Sequence, residues 1–520
     1  MQSTSSQFDT LAKSAVRPIR AEVRVSFDKQ IDPSITFFTL DQSLLDGPDI
    51  LADENHNVIT EWDKYLYRDY SDRIISVEVN REELEPYSVV QAYADVTFDN
   101  FDGYFTPNSN SPIAEYILPR RPFRILGGFA NETVPKFVGL SVGMPEIDRQ
   151  NGTARFHLID FLTFIFSKEV GDTVMMIDAS TGEVLDYLLQ HVGLTPSQYY
   201  IDDTSFNRIP FFYAEKGQNL GDIIKELIRA EQGRLFMDET GIIRYLNRQN
   251  FNNTPVYTFN EWDVEDYQPS DETDIINYVK VTSDILAEQA ESSLWQAAQQ
   301  WYLPPGGSVD VWANFQDPVT NITTPTYSPS RIEASHYIAT EDEAGNTPYA
   351  SVSVSNIDKF SKSAKITFTN GGSIGAYLIA VDVWGTPVRV TDTITVIDFD
   401  QDSIDKFEEQ RYEYSTTYIQ KQSTAITEAA IMLDDYKDYG SIVKGRFIGN
   451  PALQIGDVST LDNVDGYNDN FMITAITDIW SDFRYRQDLE LKHKDIREYF
   501  IISSDSTPKS LLDGTHVLAP

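Results

Sequence analysis

Between Ala94 and Ile125 the chain has little conformational choice. Ala94, Val96 and Phe98 alternate with Asp95, Thr97 and Asp99, the period of two that a half-buried strand requires. Asn100 and the Asp102-Gly103 pair then supply turn chemistry, because Gly tolerates positive φ and Asn or Asp can bond its own backbone. Pro107, Pro112, Pro119 and Pro122 exclude helix between 107 and 122. The stretch must be a strand, a tight turn, a polar loop and a second strand. Phe98, Phe105, Phe123 and Ile125 are its core candidates.

The same rhythm surrounds it. Val23, Val25 and Phe27 alternate with Arg24, Ser26 and Asp28, and further strands are predicted at 35–40, 74–79, 92–98, 123–126, 136–142 and 153–158. Asn151-Gly152 reads as a hairpin turn, residues 41–57 as a loop, and 59–62 as the opening of a short element. Residues 1–20 are polar and read as a loose N-terminal arm, so 21–158 forms a first β-domain, barrel or sandwich.

The rhythm changes at Asp160. A helix is expected over 160–166 and another over 182–191, where Val184, Leu185, Leu188 and Leu189 form one stripe and Gly193 stops it. Asn219 caps a stronger helix carrying Leu220, Ile223, Ile224, Leu227 and Ile228, with Gly233 as its end. A hairpin comes next, with strands at 235–237 and 242–246 and a turn at 238–241. Residues 159–262 thus make a mixed α+β domain. Residues 263–400 read as a β-rich domain with a divergent insertion. Its expected elements are a strand from 275, a polar helix over 287–300, and strands at 308–315, 350–355, 364–369, 376–384 and 388–396. Turns are expected at 304–307, 370–372 and 385–387. Residues 401–495 read as a helical passage over 404–437 and then strands at 442–448, 458–461, 471–479 and 485–492, and 496–520 as a C-terminal tail.

Composition narrows the functions. The 520 residues contain no cysteine, which removes disulfides, thiolate metal sites and cysteine nucleophiles. Net charge is −39, from 80 acidic and 41 basic residues, which argues against binding of nucleic acid through a general basic surface. Such charge serves solubility, or a surface that repels nucleic acid. The N-terminus lacks the apolar run of a signal peptide. The most apolar stretch, 158–166, is interrupted by Asp160 and is too short to span a bilayer, so a soluble protein with no membrane span is expected.

Every catalytic constellation that the sequence can test is weak or absent, and of the many carboxylate pairs that could serve glycoside hydrolysis none is singled out. The six histidines, His56, His157, His191, His336, His493 and His516, show no paired helical spacing, and no Walker loop, dinucleotide fingerprint or nucleophile elbow occurs. His157 lies in an apolar strand and reads as a core or interface residue. Asp398, Asp400 and Asp402 have the spacing that opens a calcium loop but lack its glycine, and read as a solvated acidic turn. No catalytic, cofactor or metal residue is assigned. Arg120, Arg121 and Arg124 form a basic cluster with two readings: salt bridges to neighbouring acids, or a subunit contact, where Arg is enriched.

The stretch ADVTFDNFDGYFTPNSNSPIAEYILPRRPFRI, residues 94–125, resembles the N-terminal region of tail hub proteins from long-tailed bacteriophages. The shared marks are Asp99-Asn100, Asp102-Gly103, Phe105-Thr106-Pro107, Ser111-Pro112 and the run from Pro119 to Ile125. Residues 214–250, 274–281, 368–388 and 445–461 resemble later parts of the same family in the same order, so the resemblance spans about 21–495. Arg120-Arg121 stands where Pro-Gly is common, and 283–350 is divergent.

The resemblance implies a mainly β fold: two tail-tube-like β-barrels plus a small mixed α+β domain. It implies a structural virion protein and no enzyme. A homotrimeric ring would join the hexameric tail tube to a threefold tip and line the DNA ejection channel without stable nucleic-acid binding. Implied partners are the tail tube or distal tail protein, tail-tip, fibre or spike proteins, and the tape measure protein, with assembly in the host cytoplasm. The loop 108–111 and Arg120, Arg121 and Arg124 would supply ring contacts. Two other readings stand beside it: a tail-associated cell-wall hydrolase, and a receptor-binding tail protein using the aromatic-bearing insertion 295–350 to bind carbohydrate.

Overall fold

The computed structural model describes residues 1–14, 16–30, 62, 64–83, 88–107, 109–202, 207–248, 254–269, 275–330, 334–438, 442–493, 498–500 and 516–518. The strand expected at 35–40, the loop 41–57, most of the element opening at 59 and most of the tail lie outside these residues.

The fold is mainly β with small α+β parts. Its largest sheet has 14 strands among the described residues. Along its path, Val264–Pro269 pairs with Ile442–Phe447, then come Arg484–His493, Asn470–Ser481, Ile74–Glu83, Val90–Asp99, Thr153–Ile159, Glu132–Ser141, Pro122–Phe129 and Ile19–Val25. Strands from the two ends of the chain therefore share one sheet. The seam is antiparallel pairing of Asn470–Ser481 with Ile74–Glu83, from Ala475 opposite Glu82 to Ser481 opposite Ser76.

Two cores lie on this sheet. The first gathers Val23, Val25, Phe27, Val96, Phe98, Phe105, Phe123, Ile125 and Phe156, and also takes Trp480 and Tyr485 from the C-terminal hairpin. The second holds Phe259, Phe447, Leu461, Phe471, Ile473 and Leu491. Buried ion pairs cross between chain segments: Lys136 Nζ lies 2.8 Å from Asp478, Arg234 2.9 Å from Glu83, and Arg81 3.3 Å from Glu239.

A third core joins the mixed α+β elements to the later helices. Helix α1 is Ser6–Ala12, α2 Phe161–Phe166, α3 Thr181–His191, α4 Leu220–Glu231, α5 Gln401–Phe407 and α6 Gln422–Tyr436. The stripes of α3 and α4 bury the residues their periodicity selects, and Ser180 and Glu183 close a capping box on α3. That core continues into Val279, Val281, Tyr414, Ala429 and Met432.

Several expectations need correction. The N-terminal arm is docked: Ser5 caps α1, and Phe8, 1% exposed, packs on Phe129 with ring centroids 5.0 Å apart. Burying that one aromatic outweighs the polarity of its neighbours. Residues 287–300 are not helical. The strand Tyr278–Glu288 runs on, and Ser292–Gln296 pairs with the long strand Ala376–Phe399. No apolar stripe favoured the helix, whereas as a strand Trp295 packs on a core.

The turn expected at 385–387 does not exist, because Ala376–Phe399 is continuous over 24 residues. Gly385 serves close approach instead, since a Cβ there would lie 2.2 Å from the Asn321 carbonyl oxygen. The helical passage is interrupted by the strand Arg411–Thr416, whose Tyr412 and Tyr414 pack against the third core. Helix α4 ends at Glu231, two residues before Gly233. Gln232 takes the left-handed position at φ 52°, held by a bond from its side-chain amide to the Glu428 carbonyl at 3.0 Å. Gly233 is needed because a Cβ would meet the Tyr245 ring at 2.7 Å. The periodicity also missed Met176–Ser180, Arg208–Phe212, Pro255–Asn260 and Val264–Pro269, which are too short or too exposed to show alternation.

Candidate subunit interface

The loop that carries the arginines is built from one asparagine. Asn100 is buried, and its carbonyl Oδ1 accepts from the Phe105 amide at 2.8 Å while its Nδ2 donates to Thr106 Oγ1 at 3.0 Å. This turns the chain back so that Phe105 stacks on Phe98, centroids 4.6 Å apart and planes 22° apart. Arg73 lies over the Tyr104 ring at 4.5 Å and pairs with Asp102 at 2.9 Å, locking the turn from outside. Ile113 and Ile117, 3% and 1% exposed, pin the distal part of the loop to the first core. The loop is therefore stapled down at both ends before it reaches the basic run.

Arg120 is exposed and sits at φ 61°. Its amide donates to the Ser141 carbonyl at 2.7 Å, and its guanidinium lies 4.8 Å over the Phe164 ring of α2. Arg121 is half-buried. Its Nε donates to the Tyr116 carbonyl at 3.0 Å, and its backbone exchanges bonds with Ser141. Arg124 lies within the Pro122–Phe129 strand, on the side opposite Phe123 and Ile125, with its guanidinium 4.4 Å over the Tyr67 ring. The structure thus brings Arg120 and Arg121 together at the loop's end and places Arg124 on the adjoining strand.

The salt-bridge reading finds no partner for two of the three among the described residues. Among the described residues neither Arg120 nor Arg121 forms an ion pair, and nearby Asp28 is committed to Arg68 at 2.8 Å. Burial holds the Arg121 guanidinium below its usual range, opposed by Asp28. Lys29 joins the cluster. Burial, and then the charges of Arg121, Arg120 and Lys64, hold its ammonium below the usual lysine range. Lys29 was not foreseen, because it comes from a segment some 90 positions earlier in the chain and nothing in its own neighbourhood marks it. Chemically the site is a cluster of like charges partly removed from water. It favours an external carboxylate, which Arg meets with paired donors.

The other singled-out residues have structural roles. His157 is not in a core: its ring is partly exposed, bonded to Asp95 and 3.3 Å from Glu146. The strand around it is apolar on one face only, and His157 falls on the other. Asp400 caps α5, accepting from the Ser403 amide at 2.9 Å, with Lys437 at 3.5 Å. Phe98, Phe105, Phe123 and Ile125 are all buried. Of the loop 108–111, residue 108 lies outside the described set and Ser109 donates to the Gly103 carbonyl.

No protein-family model and no curated protein matches the chain in sequence. The solved structures to which the chain is similar include three tail proteins. The 43 kDa tail protein of prophage MuSo2 from Shewanella oneidensis is 8% identical, covering 82% of this chain and 95% of that one, with a TM-score of 0.45. The tail protein from Neisseria meningitidis MC58 is 8% identical, covering 82% and 94%, with a TM-score of 0.45. Prophage tail protein gp18 from Listeria monocytogenes EGD-e is 10% identical, covering 84% and 94%, with a TM-score of 0.40. Among the described residues no helix is long and apolar enough to cross a membrane.

Proposed function

We propose that this chain is a structural protein of a bacteriophage tail, the hub subunit, without catalytic activity. Three copies form a ring that joins a sixfold tail tube to a threefold tip. The ordered resemblance over about 21–495 supports this, with the first β-region folding around the strand, turn and stapled loop at its centre. The observation that carries it is the single sheet shared by the first and last β-regions. In the proposed ring each region supplies one tube-like wall, and the seam at Ile74–Glu83 and Asn470–Ser481 holds the two walls in register. The tube or distal tail protein, the tape measure protein and tip, fibre or spike proteins are its partners, and it assembles in the host cytoplasm.

The charge of −39 gives the ring a mechanism. A lumen lined by carboxylates repels the phosphate backbone, so that DNA passes without sticking. Arg120, Arg121 and Lys29 meet carboxylates of a neighbouring copy at the ring contact. Particle microscopy of the purified protein tests the reading. The expected image is a threefold ring with a central channel. A protein that stays monomeric at high concentration, or a ring whose lumen is basic, overturns it.

A further inference from the structure

Between Glu288 and Val388 the chain leaves one antiparallel ribbon and returns to it, building a lobe with its own core of Leu303, Val311, Ala313, Ile366, Phe368 and Val383. One side of the lobe is a three-stranded sheet of Ser308–Asn314, Ser363–Asn370 and Val352–Lys359. Val311, Ala313, Ile366 and Phe368 point inward, so the alternate residues form the outer face. Across the strands Trp312 stands opposite Lys365, which stands opposite Asp358. In the next row are Asp310, Thr367 and Asn356.

Trp312 is 48% exposed on this face, with its indole within 14° of parallel to the Phe360 ring at 6.1 Å. Packing on the Lys365 stem alone would account for an indole at this position. That account leaves the ordered polar fringe unexplained. Asp310 accepts from Thr367 Oγ1 at 2.7 Å and pairs with Lys365 at 3.0 Å. Asn356 donates to Asp358 at 2.9 Å, and Thr369 to Ser355 at 2.9 Å. The face thus combines a flat aromatic platform with short side chains held in fixed directions, each with hydrogen-bonding capacity left over. Long, mobile side chains are nearly absent from it, so little rotamer freedom is lost on binding.

We propose that this outer face binds a neutral glycan chain. The C–H face of a pyranose ring stacks on Trp312, and its hydroxyls bond Asp310, Lys365, Asn356 and Asp358. An open sheet face, not a closed pocket, suits a run of sugars more than a single one. The local balance, two carboxylates against one ammonium, disfavours an anionic polysaccharide. The site is independent of the ring reading and would persist if the protein were monomeric.

The test is native gel electrophoresis of the full-length protein in gels containing dextran, galactomannan or mannan, with polygalacturonate as the anionic probe. Retardation by at least one neutral polysaccharide is expected, weakened at least tenfold in Trp312→Ala and in Asp358→Ala. Trp262→Ala, at an 85% exposed indole elsewhere, should retain it. Thermal melting of each variant separates loss of binding from loss of fold, and Trp312→Phe should keep part of the binding. No retardation by any neutral polysaccharide, retardation by polygalacturonate alone, or equal retardation of Trp312→Ala and parent each overturns the proposal.

Discussion

Glu428 ties stability to pH, because it is hidden from water. It sits in α6 at full burial, with neither carboxyl oxygen hydrogen-bonded among the described residues. Desolvation pushes its carboxyl well above the usual range. Arg248 opposes this, Glu231 adds to it, and the nearby Tyr414 hydroxyl is itself raised. An unfolded glutamate titrates near 4.3. Above that value the unfolded chain gives up a proton that the folded chain keeps, so stability falls as pH rises toward the raised value. The Glu428→Gln variant removes this term. Its melting temperature should decline less between pH 5 and pH 9 than that of the parent, the raised carboxyls of Asp160 and Asp457 being common to both. Parallel melting curves for the two proteins would show that Glu428 is ionised and paired in the fold. Arg121 makes the second prediction at this scale. Arg121→Glu should weaken self-association at least tenfold while leaving the melting temperature nearly unchanged. Unchanged sedimentation of that variant would remove the cluster from the ring contact.

At the scale of an element, the Asn100 turn shows how a loop acquires a fixed shape. Two side-chain hydrogen bonds and one stacked aromatic pair close it. Asn100→Ala should cost about 1–2 kcal/mol from the two lost bonds. It should also open the loop between Pro107 and Pro119 to proteases before the rest of the chain. Uniform cleavage across the chain would mean the loop is held from elsewhere, by Ile113 and Ile117 alone. Helices α3 and α4 were legible because their apolar residues recur at helical spacing and their caps are local. The strand Arg411–Thr416 was not. Its alternation is short and lies between two real helices, so the helical context dominated.

At the scale of the molecule, the C-terminal hairpin completes the N-terminal core. Trp480, 4% exposed, stacks on Tyr485 at 4.8 Å inside the first β-region's core. Trp480→Ala should cost about 3–5 kcal/mol in denaturant unfolding. It should lower the stability of the N-terminal β-region as much as that of the C-terminal one. Beneath it, Lys136 meets Asp478, which also accepts from Tyr485 at 2.7 Å and Gln487 at 2.8 Å. Lys136→Met alone strands a buried carboxylate, at about 3–5 kcal/mol. Combining it with Asp478→Asn should recover most of that loss. A double variant no better than the single would mean that Lys136 acts through its bonds to Pro451 and Leu453 instead.

The division between sequence and tertiary structure tracks the range of the forces. Strands such as Val90–Asp99, helices α2 to α4 and the Asn100 turn are set by neighbours within about ten positions, so periodicity and capping residues determine them. Basic character at Arg120 and Arg121 was legible for the same reason. What only the tertiary structure decided needs partners far apart in the chain. The single sheet depends on Ser76 meeting Ser481, the first core on Trp480, and the docked arm on Phe129. The nearness of Lys29 to Arg120 and Arg121, and the pairing of Asp28 with Arg68, are of the same kind. The continuous strand through Gly385 belongs to this group. There a glycine that resembles a turn is required by a carbonyl more than 60 positions away. Long-range pairing of this kind leaves no periodic trace in either partner, because each segment alone satisfies more than one fold.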